Sequence, residues 1–140
     1  SHEIVRHRLA SYSQESTRYC NYKGGVAFVI PPWVDIDSCQ FESDYIWGGT
    51  AKEAWINAML ASEKAYLSLI DSGWKPEQAR SVLPNSLKTE LVMTANLREW
   101  RHFFKQRCAK AAHPQMRELA IPLLESFKQH VPVIFDDLGV

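Results

Sequence analysis

The side chains best suited to chemistry in this 140-residue chain crowd into one stretch, Arg6-His7-Arg8-Leu9-Ala10-Ser11-Tyr12-Ser13-Gln14-Glu15-Ser16-Thr17-Arg18-Tyr19. Arg6 and Arg8 offer planar forks suited to a phosphate or a uracil-like edge. Ser11, Ser13, Ser16 and Thr17 add short hydroxyls, and Arg18 brings a further cation. Together they suit an anion carried on a flat polar body, and a nucleotide fits that description. A solvated polar turn has the same composition, so composition alone leaves both readings open.

Arg107 is the second anomaly. At about 100° per residue, Leu97, Trp100, Phe103 and Phe104 form one apolar helical stripe, and Arg107 falls within it. An unpaired guanidinium there would cost on the order of several kcal/mol. It must meet an anion, a carbonyl or a ligand, or snorkel to the edge, so a structural arginine and a ligand-binding one both fit. Arg98 and His102, four apart and off the stripe, read alone as a solvated face. Arg80 reads either as a cation on helix C-terminal carbonyls or as a ligand group, and Glu3 reads alone as an exposed carboxylate. Ser16 has no base spaced to activate it, which assigns it to binding rather than nucleophilic attack.

These residues need elements to position them. The signature stretch is expected on a helix end running into a loop. Lys23-Gly24-Gly25 reads as a turn, and Val26 to Ile30 as a buried strand ended by Pro31-Pro32. Trp33 to Gly49 keeps no period. Thr50 with Glu53 has the form of a capping box, and Trp55, Met59, Leu60, Leu67 and Ile70 carry a helix to Asp71, ended by Gly73. Pro76 starts a short helix to about Arg80, closed by Pro84. Ser86 to Ala95 alternates as a half-buried strand, with Leu87, Thr89, Leu91, Met93 and Ala95 on one face. Asn96 with Glu99 reads as an N-cap pair opening a helix from Leu97 to about Lys110. A last helix runs from Pro114 to Gln129, burying Met116, Leu119, Ala120, Leu123, Leu124 and Phe127, with a bend at Pro122. The expectation is a single α+β domain over residues 1–140.

Sixteen basic residues balance sixteen acidic ones. The absence of a basic excess argues against nucleic acid or an anionic membrane as partner. The longest apolar run, around Val26 to Val34, is interrupted by prolines and too short to span a bilayer. Cys20, Cys39 and Cys108 form no CxxC pair and are odd in number, which fits a reducing cytosol rather than a disulfide framework or a zinc site. Cys20 and Cys108 resemble nothing catalytic. His113 and His130 read as structural or exposed. With no second ligand at metal spacing, no metal is expected.

The order of the first stretch is more specific than its composition. Arg6-His7-Arg8, seven residues, Ser16 and then Arg18-Tyr19 resemble the signature of the flavin-dependent thymidylate synthases, the ThyX family. The resemblance continues through Arg80-Ser81-Val82-Leu83-Pro84 and the run from Thr94 to Arg107. It implies a small antiparallel sheet packed with helices, and reductive methylation of dUMP to dTMP. In that reaction methylenetetrahydrofolate supplies the one-carbon unit, NADPH reduces FAD, and the reduced flavin delivers hydride. Arg6, His7, Arg8, Leu9, Asn96, Arg98 and His102 would lie against FAD. Glu3, Arg6, Gln14, Glu15, Ser16, Thr17, Arg18, Arg80 and Arg107 would hold dUMP. The resemblance also implies that Arg107 contacts the base and favours ionisation of its N3, making it the catalytic candidate.

Gln14 stands where many relatives have glutamate and Ser13 where many have asparagine; both keep a hydrogen-bonding group. Family members carry a segment ahead of the signature, and a chain starting at Ser1 reads as the C-terminal portion without it. They are homotetramers with shared active sites, which implies that the signature loop of one protomer faces Arg107 of another. A cytoplasmic enzyme is therefore expected. The alternative is a non-catalytic nucleotide- or anion-binding interaction domain. Arg107 discriminates between the two, since a mere binding module has no need of a guanidinium in an aromatic stripe.

Overall fold

The chain condenses around two separate sets of apolar side chains. In the computed structural model, which describes residues 1–35 and 50–139, these sets belong to two compact units. One comprises Ser1–Ser13 and Leu91–Val140, the other Gln14–Glu90. Along the chain lie β1 (Ala10–Gln14), α1 (Ala51–Asp71), α2 (Pro76–Ala79), β2 (Leu91–Ala95), α3 (Leu97–Arg107), α4 (Pro114–His130) and α5 (Pro132–Phe135). Single turns of 3-10 helix occur at His2–Ile4 and Arg80–Val82.

The first unit is held by the aromatic stripe of α3. Phe103 and Phe104 are buried with Leu124 of α4, Phe135 of α5 and Leu138. Trp100, Phe104, Phe127 and Phe135 pack in a continuous series of tilted, stacked and edge-to-face rings with centroids 4.9 to 5.8 Å apart. This is the spacing at which ring quadrupoles attract. Arg101 of α3 donates two parallel hydrogen bonds to Asp137, Nη1 to Oδ1 and Nη2 to Oδ2, each 2.6 Å. The two strands pair antiparallel.

The second unit is organised by α1, which buries Tyr66 and Ile70 against Ala79 of α2. Its start is the expected capping box: Glu53 N donates to Thr50 Oγ1 at 3.3 Å and Thr50 N to Glu53 Oε2 at 2.7 Å. Its end is Gly73 at φ 88°, a conformation that costs glycine little. Tyr66, absent from the expected apolar set, is the most buried residue of the helix.

Several expectations need correction. The signature stretch is no helix end: a 3-10 turn leads into β1, whose Tyr- and Ser-rich sequence finds backbone partners on β2. Val26–Ile30 forms only an isolated bridge, Phe28 to Leu87. Backbone bonds flank it from Val29 N to Ser86 O and Lys88 N to Ala27 O. Pro31-Pro32 removes the donors that would extend it. The strand expected from Ser86 is regular only over Leu91–Ala95. There the alternation holds, with Leu91, Met93 and Ala95 half-buried and Val92 and Thr94 exposed.

In α3, Leu97 is exposed rather than part of the buried stripe, and Cys108 caps the helix two residues before the expected end. In α4, Leu119 and Leu123 are exposed. The buried line runs through Met116, Ala120, Leu124 and Phe127, and those two leucines sit one residue, about 100°, off it. Pro122 lies inside α4 without ending it, and α5 was not foreseen. Of the expected irregular stretch, residues 36–49 lie outside the described residues. Among the described residues, no helix is long and apolar enough to cross a membrane.

Candidate nucleotide and flavin site

In the first unit the site begins with a tight turn. His7 N donates to Ile4 O at 3.0 Å and Arg8 N to Arg6 O at 3.0 Å. Neighbouring side chains therefore face opposite ways: Arg6 and Arg8 are exposed, while His7 between them is buried. Tyr12 fixes the turn by donating its hydroxyl to His7 O at 2.9 Å. Across from it, α3 starts at Asn96, whose Oδ1 accepts from Glu99 N at 2.9 Å. Glu99, Phe103 and Arg107, spaced four residues apart, share one face of the helix and meet His7.

The contacts run in a chain. His7 Nδ1 lies 3.1 Å from Glu99 Oε1, and Arg107 Nε donates to His7 Nε2 at 3.0 Å. Arg107 Nη1 also donates to Glu3 Oε2 at 3.3 Å. The His7 ring is held edge-on to His102, centroids 5.7 Å apart, and tilted on Phe103 at 5.0 Å. Burial pushes the His7 pKa down; the bond to Glu99 pulls it back up and the Arg107 charge lowers it again. Burial also raises the pKa of Tyr12.

The potential ligand atoms of His7, Glu99 and His102 lie within 4.8 Å of one another. The reason given for expecting no metal was the lack of ligands at close spacing in sequence, and that reason does not survive folding. The grouping has another account, however. Glu99 and Arg107 already engage both nitrogens of His7, and the guanidinium opposes a cation at that place.

The second unit holds the other candidate residues, Gln14 to Arg18 and Arg80. Ser16 Oγ accepts from Arg18 N at 3.3 Å, and Tyr19 N and Cys20 N both bond to Ser16 O, so the segment curls into a turn. Arg80, at the C-terminal end of α2, donates to Thr17 Oγ1 at 3.0 Å. Arg18 lies 3.6 Å from Glu77 with both side chains well exposed, and stands over the Tyr19 ring at 5.3 Å. Such an exposed pair contributes little and can open for another anion. Gln14 Nε2 donates to Thr89 Oγ1 at 3.3 Å. Glu15 has one carboxylate oxygen buried without a partner, and its bond to Cys20 raises that thiol's pKa.

Within the first unit, then, Glu3, His7, His102 and Arg107 come together. Arg6, Arg8, Leu9 and Arg98 are exposed on the same unit. Asn96 is also exposed, and its oxygen is taken by the helix cap. Within the second unit, Thr17 meets Arg80 and Arg18 meets Glu77 of α2, while Gln14 bonds to Thr89. Sequence reasoning missed Glu99. It read the residue as the partner of an N-cap, whereas the carboxylate turns inward to a histidine 92 residues away. Its place beside Trp100, ahead of a phenylalanine pair, was the available signal for a buried acid.

Comparison with known proteins gives this arrangement a lineage. The family described as thymidylate synthase complementing protein matches residues 1–133. The chain belongs to this family. Members among its curated relatives are flavin-dependent thymidylate synthases. That of Geobacter sulfurreducens is 39% identical over 140 residues, covering 99% of this chain and 56% of the relative. That of Clostridium tetani is 33% identical over 155 residues, covering 99% and 57%. The chain thus spans a little over half the length of these relatives.

Solved structures agree on the fold. The UMP/dUMP methylase PolB of Streptomyces cacaoi, bound with 5-Br dUMP, superposes with a TM-score of 0.75 at 27% identity, covering 96% of this chain and 63% of that one. Helicobacter pylori ThyX, complexed with FAD and dUMP, gives 0.68 at 22% identity, covering 97% and 65%. The expected family and the α+β class with a small antiparallel sheet both hold.

Proposed function

We propose that this chain carries FAD- and dUMP-binding residues of a flavin-dependent thymidylate synthase, which methylates dUMP to dTMP with methylenetetrahydrofolate and NADPH. Family membership supports the reading, and one observation carries it. Arg107 is only 14% exposed, yet it is held by one nitrogen of a histidine and one oxygen of Glu3. Arg101, on the same helix, shows what a structural arginine does here: it pairs with both oxygens of a single carboxylate. The Arg107 guanidinium keeps donors for a ligand, and its position is fixed before the ligand arrives.

The residues present fit both ligands. For FAD, the exposed cations Arg6, Arg8 and Arg98 suit phosphate oxygens. Leu9, 73% exposed, and the exposed ring of His102 offer an apolar and an aromatic surface to a flat heterocycle. When bound, FAD would supply the redox chemistry, taking electrons from NADPH and delivering hydride. For dUMP, Ser16, Thr17, Arg18 and Arg80 would supply hydroxyls and cations to the phosphate, with Gln14 and Glu15 on the same segment, while Arg107 of another protomer would meet the base. A guanidinium against the base favours the anion formed when N3 loses its proton, which makes the pyrimidine more nucleophilic. Ser16 binds and does not attack.

The remaining features of this reading are a homotetramer with shared active sites, residues 1–140 as a single domain, and a cytoplasmic setting. The free thiols of Cys20 and Cys108 suit that setting. The test is dTMP formation from dUMP, methylenetetrahydrofolate, NADPH and FAD, run beside Arg107→Ala. Turnover that vanishes in the variant supports the proposal. Binding of dUMP without turnover, unaffected by the substitution, would favour the non-catalytic binding domain instead.

A further inference from the structure

We propose that Glu99 is a positioning residue for Arg107, acting through the buried imidazole of His7. The inference rests on the reading of Arg107 as a nucleotide ligand and deepens it. A guanidinium N–H can only donate, so His7 Nε2 must present its lone pair to Arg107 Nε. A neutral imidazole that accepts at Nε2 carries its proton on Nδ1, and that proton needs an acceptor. Glu99 Oε1 at 3.1 Å is that acceptor. Both residues are buried, His7 at 1% and Glu99 at 6% exposure, so water does not substitute for either bond.

Take the acceptor away and the other tautomer becomes competitive. Its Nε2–H points at the Arg107 Nε–H, donor against donor, and the guanidinium loses one of its two anchors. Glu99 therefore sets the direction of the whole series, from carboxylate to imidazole to guanidinium. Phe103 and His102 fix the plane of the ring between them, and Glu3 holds the guanidinium at Nη1. The placement of Glu99 has no simpler purpose. It stands at the third position of α3, where an acid ordinarily reaches back to the cap backbone, yet its carboxylate faces inward. In metal sites, carboxylates fix histidine tautomers in the same way; here the group positioned is a guanidinium.

The test compares the full chain with Glu99→Met, which keeps volume but removes the acceptor, and Glu99→Gln, which restores an acceptor oxygen. Two readouts are taken: the His7 tautomer from nitrogen-15 imidazole shifts, and the affinity for dUMP. The proposal expects the Nδ1–H form in the wild type and in Glu99→Gln, and a mixture in Glu99→Met. Affinity should fall about tenfold in Glu99→Met, the size of one lost hydrogen bond, and stay within about threefold in Glu99→Gln. An Nε2–H tautomer in the wild type overturns it. So does a Glu99→Met protein with unchanged tautomer and affinity. If the wild type binds no dUMP, the nucleotide reading fails on its own, and the tautomer in Glu99→Met alone decides the relay.

Discussion

Arg107, partly buried, and His7, fully buried, form a pair that bears on both stability and the proposed chemistry. On the proposed role of Arg107, replacing it by alanine would remove charge-assisted bonds to the ligand, each about 1.5–3 kcal/mol. Its dUMP affinity should fall roughly 10- to 100-fold, as titration calorimetry would read. Unchanged affinity would remove Arg107 from the site. His7 makes a separate prediction about pH. Its pKa in the fold lies below the usual 6.5, chiefly through burial. The unfolded chain therefore takes up a proton at this residue before the folded one does. The stability this provides is complete above pH 6.5 and drains away as pH falls toward the folded pKa. Glu99, His102 and Arg107 face the ring and contribute to that balance, and Glu3 adjoins Arg107. Urea midpoints should drop as pH falls below 6.5, and the drop should be shallower in His7→Gln. Equal slopes in both proteins would contradict the assignment of a neutral His7.

Among the elements, α4 and α1 make the plainest cases. Leu124 is fully buried against Phe104 and Phe135, so Leu124→Ala should cost about 2–5 kcal/mol. Leu123→Ala, one residue earlier and exposed, should cost far less in the same denaturation series; equal costs would refute the assigned helix face. Thr50→Ala, which breaks the capping box of α1, should cost about 1 kcal/mol. These elements also show how far local pattern reaches. The helices α1, α3 and α4 were legible because capping residues, prolines and apolar spacing are local signals that agree with one another. The strand at Val26–Ile30 was misread because its apolar run says nothing about partners, and two prolines deny it a ladder. Turn and strand at His2–Gln14 were misread for the opposite reason: their form depends on β2, about eighty residues away. The arginines and hydroxyls proposed for the site stand out in the sequence by type and order. Glu99 was not, because the residue that gives it meaning is remote in sequence.

For the whole molecule, neutral net charge leaves recognition to local clusters of cations. The first unit carries Arg6, Arg8, Arg98 and Arg107; the second carries Arg18 and Arg80. The proposed homotetramer would sediment at four times the chain mass, whereas a monomer would leave shared active sites without support. The central claim is that these clusters serve a flavin and dUMP together. Its most direct test is the absorption spectrum of the protein after mixing with FAD and gel filtration, recorded before and after dUMP is added. The account predicts that the flavin band is retained and shifts when dUMP binds. A protein that elutes free of flavin, and whose spectrum does not respond to dUMP, would contradict it.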